Sequence, residues 1–126
     1  MDKKIITPKD APAPVGPYST AVEAGGFIFC SGQIPLDAKT GEVFTGEIGE
    51  QTRRCMTNVE TILRAADLKF ENIVKTTIFL TDMKDFAKVN EVYGSYFKAA
   101  PPARSTVAVA GLPKGVNVEI EVLAQR

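Results

Sequence analysis

The sequence contains no histidine and no tryptophan. The lack of histidine excludes a serine or cysteine nucleophile activated by imidazole, a zinc ion held by imidazole, and an imidazole acid–base group. Chemistry at any site must therefore use arginine, carboxylates, tyrosine, serine, backbone groups or water. The sequence predicts no metal site.

An excess of either charge is also missing. Lys plus Arg and Asp plus Glu number 15 each, and no run of five like charges forms a basic surface. Binding to a phosphate backbone depends on such a surface, so we expect no nucleic-acid partner. The apolar stretches are too short for a transmembrane helix or a secretory leader, which predicts no membrane association and a cytoplasmic location.

Cysteine is scarce, since Cys30 and Cys55 are the only two. They lack the paired spacing of redox or zinc motifs and lie among apolar residues. Burial as small hydrophobic side chains is therefore the favoured interpretation, with a disulfide as the weaker alternative.

The pattern of apolar residues predicts one α+β domain spanning residues 1–126. The hydrophobic fraction of 44% and the charged fraction of 24% are ordinary for a folded domain. Alternation and helical periodicity predict strands at 19–24, 27–31, 72–80, 104–109 and 116–124, and helices at 47–66 and from a cap at Asp82 to 97. Five or six strands and two helices then form a single sheet with both helices on one face.

The second face of that sheet is predicted to be apolar. It would expose side chains such as Phe27 or Phe29 in a monomer, and a large exposed apolar face is typical of a subunit interface. We therefore expect a homo-oligomer.

Arg104 is the strongest candidate for a binding residue. It shares a predicted strand face with Thr106, and the next strand alternates so that Glu119 and Glu121 lie opposite its apolar residues. These two strands are taken as neighbours. If their polar sides match, Arg104 lies near Glu119 across the sheet and its guanidinium is a clamp for a small carboxylate. The alternative is a structural ion pair of Arg104 with Glu119 or Glu121, and the spacing does not separate the two.

Tyr18 and Ser31 supply hydroxyl groups at the ends of the first two predicted strands. Residues of this type at strand ends usually serve packing or local hydrogen bonding. Ser31-Gly32-Gln33 lacks the flanking glycine pattern of a nucleophile elbow, so serine hydrolase chemistry is disfavoured.

Several short motifs resemble the RidA/YjgF family of reactive-intermediate deaminases over nearly the whole chain. They are Gly16-Pro17-Tyr18-Ser19, Ser31-Gly32-Gln33-Ile34-Pro35, Val89-Asn90 with Tyr93, Pro102-Ala103-Arg104-Ser105 with Val107, Leu112-Pro113, and Val118-Glu119-Ile120.

The resemblance implies a chorismate-mutase-like α+β fold with a mixed sheet, assembled as a homotrimer with clefts between subunits. It implies hydrolysis of 2-imino acids such as 2-iminobutanoate and 2-iminopropanoate to 2-oxo acids and ammonia, without a cofactor. By position, Arg104 takes the role of carboxylate clamp and Glu119 and Tyr18 position the water. Ser31 and Gly32 line the cleft, and Asn90 is a further binding residue.

Thr106 departs from many relatives of that family, in which cysteine is frequent. The resemblance assigns the contact with the substrate nitrogen to the backbone of this residue, so the change of side chain preserves the contact. Two alternatives remain: a non-catalytic protein that binds carboxylate metabolites or acts as a chaperone, and, less favoured, a ribonuclease or translation inhibitor.

Overall fold

The computed structural model describes residues 2–126, so Met1 of the predicted domain lies outside the described residues. Six strands form one mixed sheet, and two helices pack on it. The strands are β1 (Lys4–Ile6), β2 (Ala21–Ala24), β3 (Phe27–Cys30), β4 (Ile73–Leu80), β5 (Ala103–Ala108) and β6 (Val118–Gln125), and the helices are α1 (Ile48–Ala65) and α2 (Phe86–Gly94).

The strand order is β1-β2-β3-β6-β4-β5, and only β4 and β5 run parallel. A parallel pair needs a crossover connection, and α2 supplies it. The crossover places β5 at the outer edge of the sheet, next to β4 and two positions from β6. The sequence-based assumption that β5 and β6 are neighbours was therefore wrong.

α1 confirms the predicted first helix to within one residue at each end. The side chain of Glu47 caps it, accepting hydrogen bonds from the backbone N–H of Gly49 at 2.7 Å and of Glu50 at 3.0 Å. A negative charge at this end of a helix is favourable because the unpaired N–H groups point toward it. The apolar side of α1 is fully buried, with Met56 and Val59 at 0% exposure.

The second helix is shorter than predicted. Asp82 caps a 3₁₀ turn at Met83–Asp85, and α2 follows that turn and ends at Gly94. The hydroxyl of Ser95 donates to the carbonyl of Val92 at 2.6 Å, which gives the backbone an alternative to another helical turn. Tyr96 and Phe97 lie beyond the helix but still pack on the core.

Burial alternates along β6 as predicted, which identifies the covered face of the sheet. Val118, Ile120, Val122 and Ala124 are at most 4% exposed. The thiol of Cys55 in α1 lies 3.8 Å from the carbonyl of Val118, while α2 contacts the same face through β4. Both helices therefore cover one face, as predicted.

The other face of the sheet has no covering layer among the described residues. Phe29 is 51% exposed there, in agreement with the sequence analysis, whereas Phe27 is half-buried. β4 also places apolar side chains on the open face, where Val74 is 39% exposed and Phe79 is half-buried. The short strand β1 was not predicted, because three residues are too few for a periodic pattern.

Cys30 and Cys55 are both buried and free, which confirms the favoured interpretation. Burial raises the pKa of the Cys30 thiol to about 12, so this thiol is not a reactive nucleophile. In the part of the chain from residue 2 onward, neither helix combines the length and the apolar character needed to cross a membrane.

Candidate functional site

A groove of about 490 Å³ lies beside the N-terminal half of β6 and contains four of the predicted site residues. These are Tyr18, Ser31, Gly32 and Glu119. Its other walls come from the proline-rich segment before β2, the residues after β3 and the turn before β6, and include Pro12, Val15, Ile34, Pro113 and Lys114.

Glu119 contributes a partly buried carboxyl group to the groove. Burial raises its pKa, and the nearby negative charge of Glu121 raises it further. A carboxyl group of this kind holds its proton more readily than an exposed one.

Gly32 provides the space that the Glu119 carboxyl occupies. A Cβ atom at position 32 would overlap Oε2 of Glu119 and lie 2.8 Å from its Cδ. Glycine is favoured at position 32 by the close approach of the Glu119 side chain. The backbone gives no separate reason, since the φ of Gly32 is not in the left-handed region.

Substitution of Gly32 with alanine tests this packing. We expect Gly32→Ala to push the Glu119 carboxyl away and to lower kcat of the imino-acid hydrolysis that the resemblance implies by about 10- to 100-fold, since a misplacement of about 1 Å has a cost of this size. Gly94→Ala is the matched control, because a Cβ at Gly94 meets no atom within 4 Å and the helix gains a better helix former. Normal turnover by Gly32→Ala would contradict the expectation that activity depends on this position of the Glu119 carboxyl.

Ser31 and Tyr18 hold the chain around the groove. The Ser31 hydroxyl donates to the carbonyl of Ser19 at 2.7 Å, which ties the end of β3 to the segment before β2. Tyr18 is 50% exposed, and its hydroxyl accepts a long hydrogen bond of 3.4 Å from the N–H of Val15. The Tyr18 hydroxyl therefore remains available to a ligand, whereas the Ser31 proton is already committed.

Arg104 lies elsewhere, on the helix-covered face of edge strand β5. Its Nη1 donates to Oδ1 of Asn90 at 2.6 Å, and its Cζ lies 5.2 Å from the centre of the Tyr93 ring. No carboxylate among residues 2–126 forms an ion pair with it. The alternative of a structural ion pair with Glu119 or Glu121 is therefore wrong within the chain.

The predicted proximity of Arg104 and Glu119 is also wrong. Arg104 is opposite Thr76 in the register, and Glu119 is opposite Phe79. Two strand spacings and three residues along the strand separate their Cα atoms by about 14 Å. Thr76 is buried beneath the helices whereas Phe79 lies on the open face, so the two side chains lie on opposite sides of the sheet.

Thr106 presents its backbone at the free edge of β5. The N–H of Val109 donates to the carbonyl of Leu80 at 2.7 Å, and backbone groups alternate in direction along a strand. The N–H and C=O of Arg104 and Thr106 therefore point away from β4. The Thr106 side-chain oxygen is buried and has no hydrogen-bond partner.

Substitution of Thr106 with valine tests whether the side-chain hydroxyl or the backbone of this residue matters for activity. An unpaired buried hydroxyl is unfavourable, so we expect Thr106→Val to raise the free energy of unfolding by up to about 1 kcal/mol. We expect kcat/KM within about twofold of the wild type, because the edge N–H is preserved. A large loss of activity in a stable variant would show that the hydroxyl itself contacts the ligand. Thermal unfolding and the imino-acid hydrolysis that the family resemblance implies, measured on one sample, give both values.

Sequence reasoning missed two features near these residues. Lys114 lies on the rim of the groove with a left-handed backbone (φ 57°, ψ 23°), and the only sequence signal was its position between Pro113 and Gly115. The contact of Arg104 with Tyr93 was also missed, because it depends on how α2 packs against β5 and not on local spacing.

Comparisons with known proteins agree with one another. The model of the family described as endoribonuclease L-PSP matches residues 8–126. A RutC family protein of Pyrococcus horikoshii is 49% identical over 124 residues, covering 98% of each chain. The mouse 2-iminobutanoate/2-iminopropanoate deaminase is 45% identical over 122 residues, which is 97% of this chain and 90% of the mouse protein. The crystal structure of E. coli TdcF with bound serine has a TM-score of 0.93 at 45% identity, covering 98% of both chains.

Proposed function

The chain belongs to the endoribonuclease L-PSP family, which is the RidA/YjgF family of the resemblance, and we propose that it is an imine deaminase. The proposed reaction is the hydrolysis of 2-imino acids, such as 2-iminobutanoate and 2-iminopropanoate, to 2-oxo acids and ammonia. The mouse relative carries the name of this activity, whereas the archaeal relative has only a general family name.

The observation that carries the proposal is the free charge of Arg104. Its guanidinium is held by the neutral amide of Asn90 and has no carboxylate partner among residues 2–126. A guanidinium in this state is suited to accept the carboxylate of a small ligand through two parallel hydrogen bonds.

The proposed site is completed by a second copy of the chain. Glu119 and Arg104 lie on opposite faces, so one chain alone does not present both to a four-carbon ligand. The exposed strand β5 and the exposed Phe29 face support an assembly in which the edge of one copy covers the groove of another. We propose a homotrimer, for which light scattering should give about three times the chain mass of 13.6 kDa.

The proposed reaction needs orientation more than a strong base. Arg104 of one copy binds the ligand carboxylate, and the edge backbone of Thr106 holds the imine nitrogen. Glu119 and Tyr18 of the other copy hold a water molecule, whose oxygen adds to the imine carbon. The proton lost by the water passes through Glu119 to the nitrogen, which gives a carbinolamine. The remaining hydroxyl proton then passes through Glu119 to the nitrogen as the C–N bond breaks and the C=O bond forms, and the 2-oxo acid and ammonia leave.

The test is the removal of imines released by an amino-acid oxidase or dehydratase. Addition of the protein should accelerate the loss of imine absorbance and the release of ammonia, with no added metal or cofactor. Arg64→Ala is the control, because Arg64 is exposed on α1 and pairs with Glu60 at 3.5 Å. An unchanged imine lifetime at micromolar protein would contradict the proposal.

A non-catalytic carboxylate-binding protein is the second candidate. The favouring observation is that the E. coli relative contains bound serine, an amino acid and not an imine. The same assay separates the two candidates, because a binding protein retains carboxylate affinity without turnover. A ribonuclease is less favoured, since the net charge is zero and the chain has no histidine.

A further inference from the structure

We infer that Asn90, Tyr93 and Thr76 position the Arg104 guanidinium and set the affinity of the site for carboxylates without touching the ligand. This inference rests on the role of Arg104 in the proposed function. It assigns to Asn90 an action through Arg104, in place of the direct ligand contact that the resemblance implies.

The helical spacing of α2 builds the support. Phe86, Asn90 and Tyr93 are separated by four and three residues and lie on one side of the helix. The Cζ of Arg104 lies 5.6 Å from the centre of the Phe86 ring and 5.2 Å from that of Tyr93. Both distances are within the range of cation–π attraction. The guanidinium therefore lies against two rings while Asn90 binds its Nη1.

Thr76 fixes the Tyr93 ring from the strand side. Its Oγ1 lies 2.7 Å from the Tyr93 hydroxyl, and Thr76 is fully buried. Thr76 is also the residue of β4 directly opposite Arg104 on β5. One buried hydrogen bond thus joins the strand beside Arg104 to the ring on which its guanidinium rests.

The groups that hold the Arg104 guanidinium are uncharged, and the proposed role of the site depends on this. An amide oxygen, a hydroxyl pair and two rings orient the guanidinium but leave its charge uncompensated. A long arginine side chain loses rotamer freedom when it binds a ligand, and prior orientation lowers that cost. A carboxylate in place of Asn90 would orient the arginine equally well but would compete with the ligand.

Two substitutions at position 90 test the inference, which predicts that aspartate lowers the affinity for a carboxylate ligand more than alanine does. Asn90→Asp keeps an acceptor oxygen on Nη1, so we expect normal thermal stability but an affinity for 2-oxobutanoate lower by about 10- to 100-fold. Asn90→Ala removes the hydrogen bond and leaves the charge free, so we expect a loss of only about 3- to 10-fold. Calorimetric titration of the full assembly with 2-oxobutanoate measures both.

The reverse order would overturn the inference. A purely structural Asn90 predicts that aspartate is tolerated and alanine is worse. An undetectable affinity of the wild type for 2-oxobutanoate would also overturn it. Because the titration involves no turnover, normal binding together with absent imine hydrolysis would reject the proposed activity and leave this inference intact.

Tyr93→Phe gives a second, independent readout. It keeps the ring and removes the hydrogen bond to Thr76, so we expect KM for imino acids to rise by about 3- to 10-fold while kcat stays within about twofold. Tyr96→Phe is the matched control on the same apolar cluster. The centre of the Tyr96 ring lies 5.3 Å from that of Phe70, and the rings beside the Arg104 guanidinium are those of Phe86 and Tyr93. An unchanged KM for Tyr93→Phe would count against the role of Thr76.

Discussion

Arg104→Ala is expected to lower kcat/KM for 2-imino acids by roughly a hundred- to a few thousand-fold and to leave the fold intact. Loss of one partner of a desolvated charge pair costs on the order of 3 to 5 kcal/mol, which corresponds to this range. The fold should tolerate the change because Arg104 is exposed on an edge strand and its one hydrogen bond is to Asn90. Arg104→Lys should fall between the two, because an ammonium group lacks the planar fork.

The measurement combines the melting temperature and imine hydrolysis on the same Arg104→Ala sample, with Arg64→Ala as the control for loss of a surface arginine. A normal rate in the folded fraction would falsify the clamp. A destabilised protein with a normal rate would instead assign Arg104 to structure.

Glu119→Gln is expected to lower kcat by about a hundredfold or more, with a much smaller change in KM. Proton transfer by a positioned side chain contributes about 10²- to 10⁴-fold, and glutamine keeps the shape while removing that capacity. Glu121→Gln is the matched control on the same strand face, since Glu121 also lines the groove but is more exposed. Equal losses in the two variants would contradict the assignment of proton transfer to Glu119.

Because the pKa of Glu119 is raised, Glu119→Gln should increase thermal stability at neutral pH although it lowers activity. The folded protein binds this proton more tightly than the unfolded chain, so the stabilising contribution is present at low pH and is lost as pH rises through the folded pKa. Glutamine does not ionise, so Glu119→Gln should melt higher than the wild type at neutral pH. The difference should shrink below the ordinary glutamate pKa of 4.5. A constant difference from pH 4 to pH 8 would contradict this origin.

The enzyme-dependent rate should depend on the same Glu119 pKa, but the rate should fall as the pH is lowered, whereas the stability contribution of this group is lost as the pH is raised. Because the carboxylate form accepts the proton of water, activity should fall on acidification at a pH above 4.5, the usual glutamate value. This acid limb should vanish in Glu119→Gln. The rate without protein must be subtracted at every pH, since imines also hydrolyse in water.

Local patterns in the sequence predicted most of the elements but not their arrangement. Alternation in β6 placed Glu119 opposite the apolar residues of that strand, and the predicted strands at 19–24 and 27–31 correspond to the paired strands β2 and β3. These features depend on residues close in sequence, so the signal is local.

The position of Arg104 depended on topology, which the sequence pattern does not encode. Placing β5 beside β4 requires knowing that the segment between them is a crossover helix that returns to the same end of the sheet. The adjacency with β6 was assumed because the two strands are consecutive. Within the chain this error brought Arg104 and Glu119 together, whereas the structure separates them. The proposed site therefore takes one of these residues from each of two copies.

The most direct test of a site shared between copies is the activity of mixed assemblies. Arg104→Ala and Glu119→Gln chains, each nearly inactive alone, are co-expressed with different tags, and the randomly mixed assemblies are purified. Each shared site needs an intact Arg104 from one chain and an intact Glu119 from the other, so about one quarter of the sites, and of wild-type activity, should return. A site built within one chain would contain no intact pair, and mixed assemblies no more active than the two parents would contradict the account.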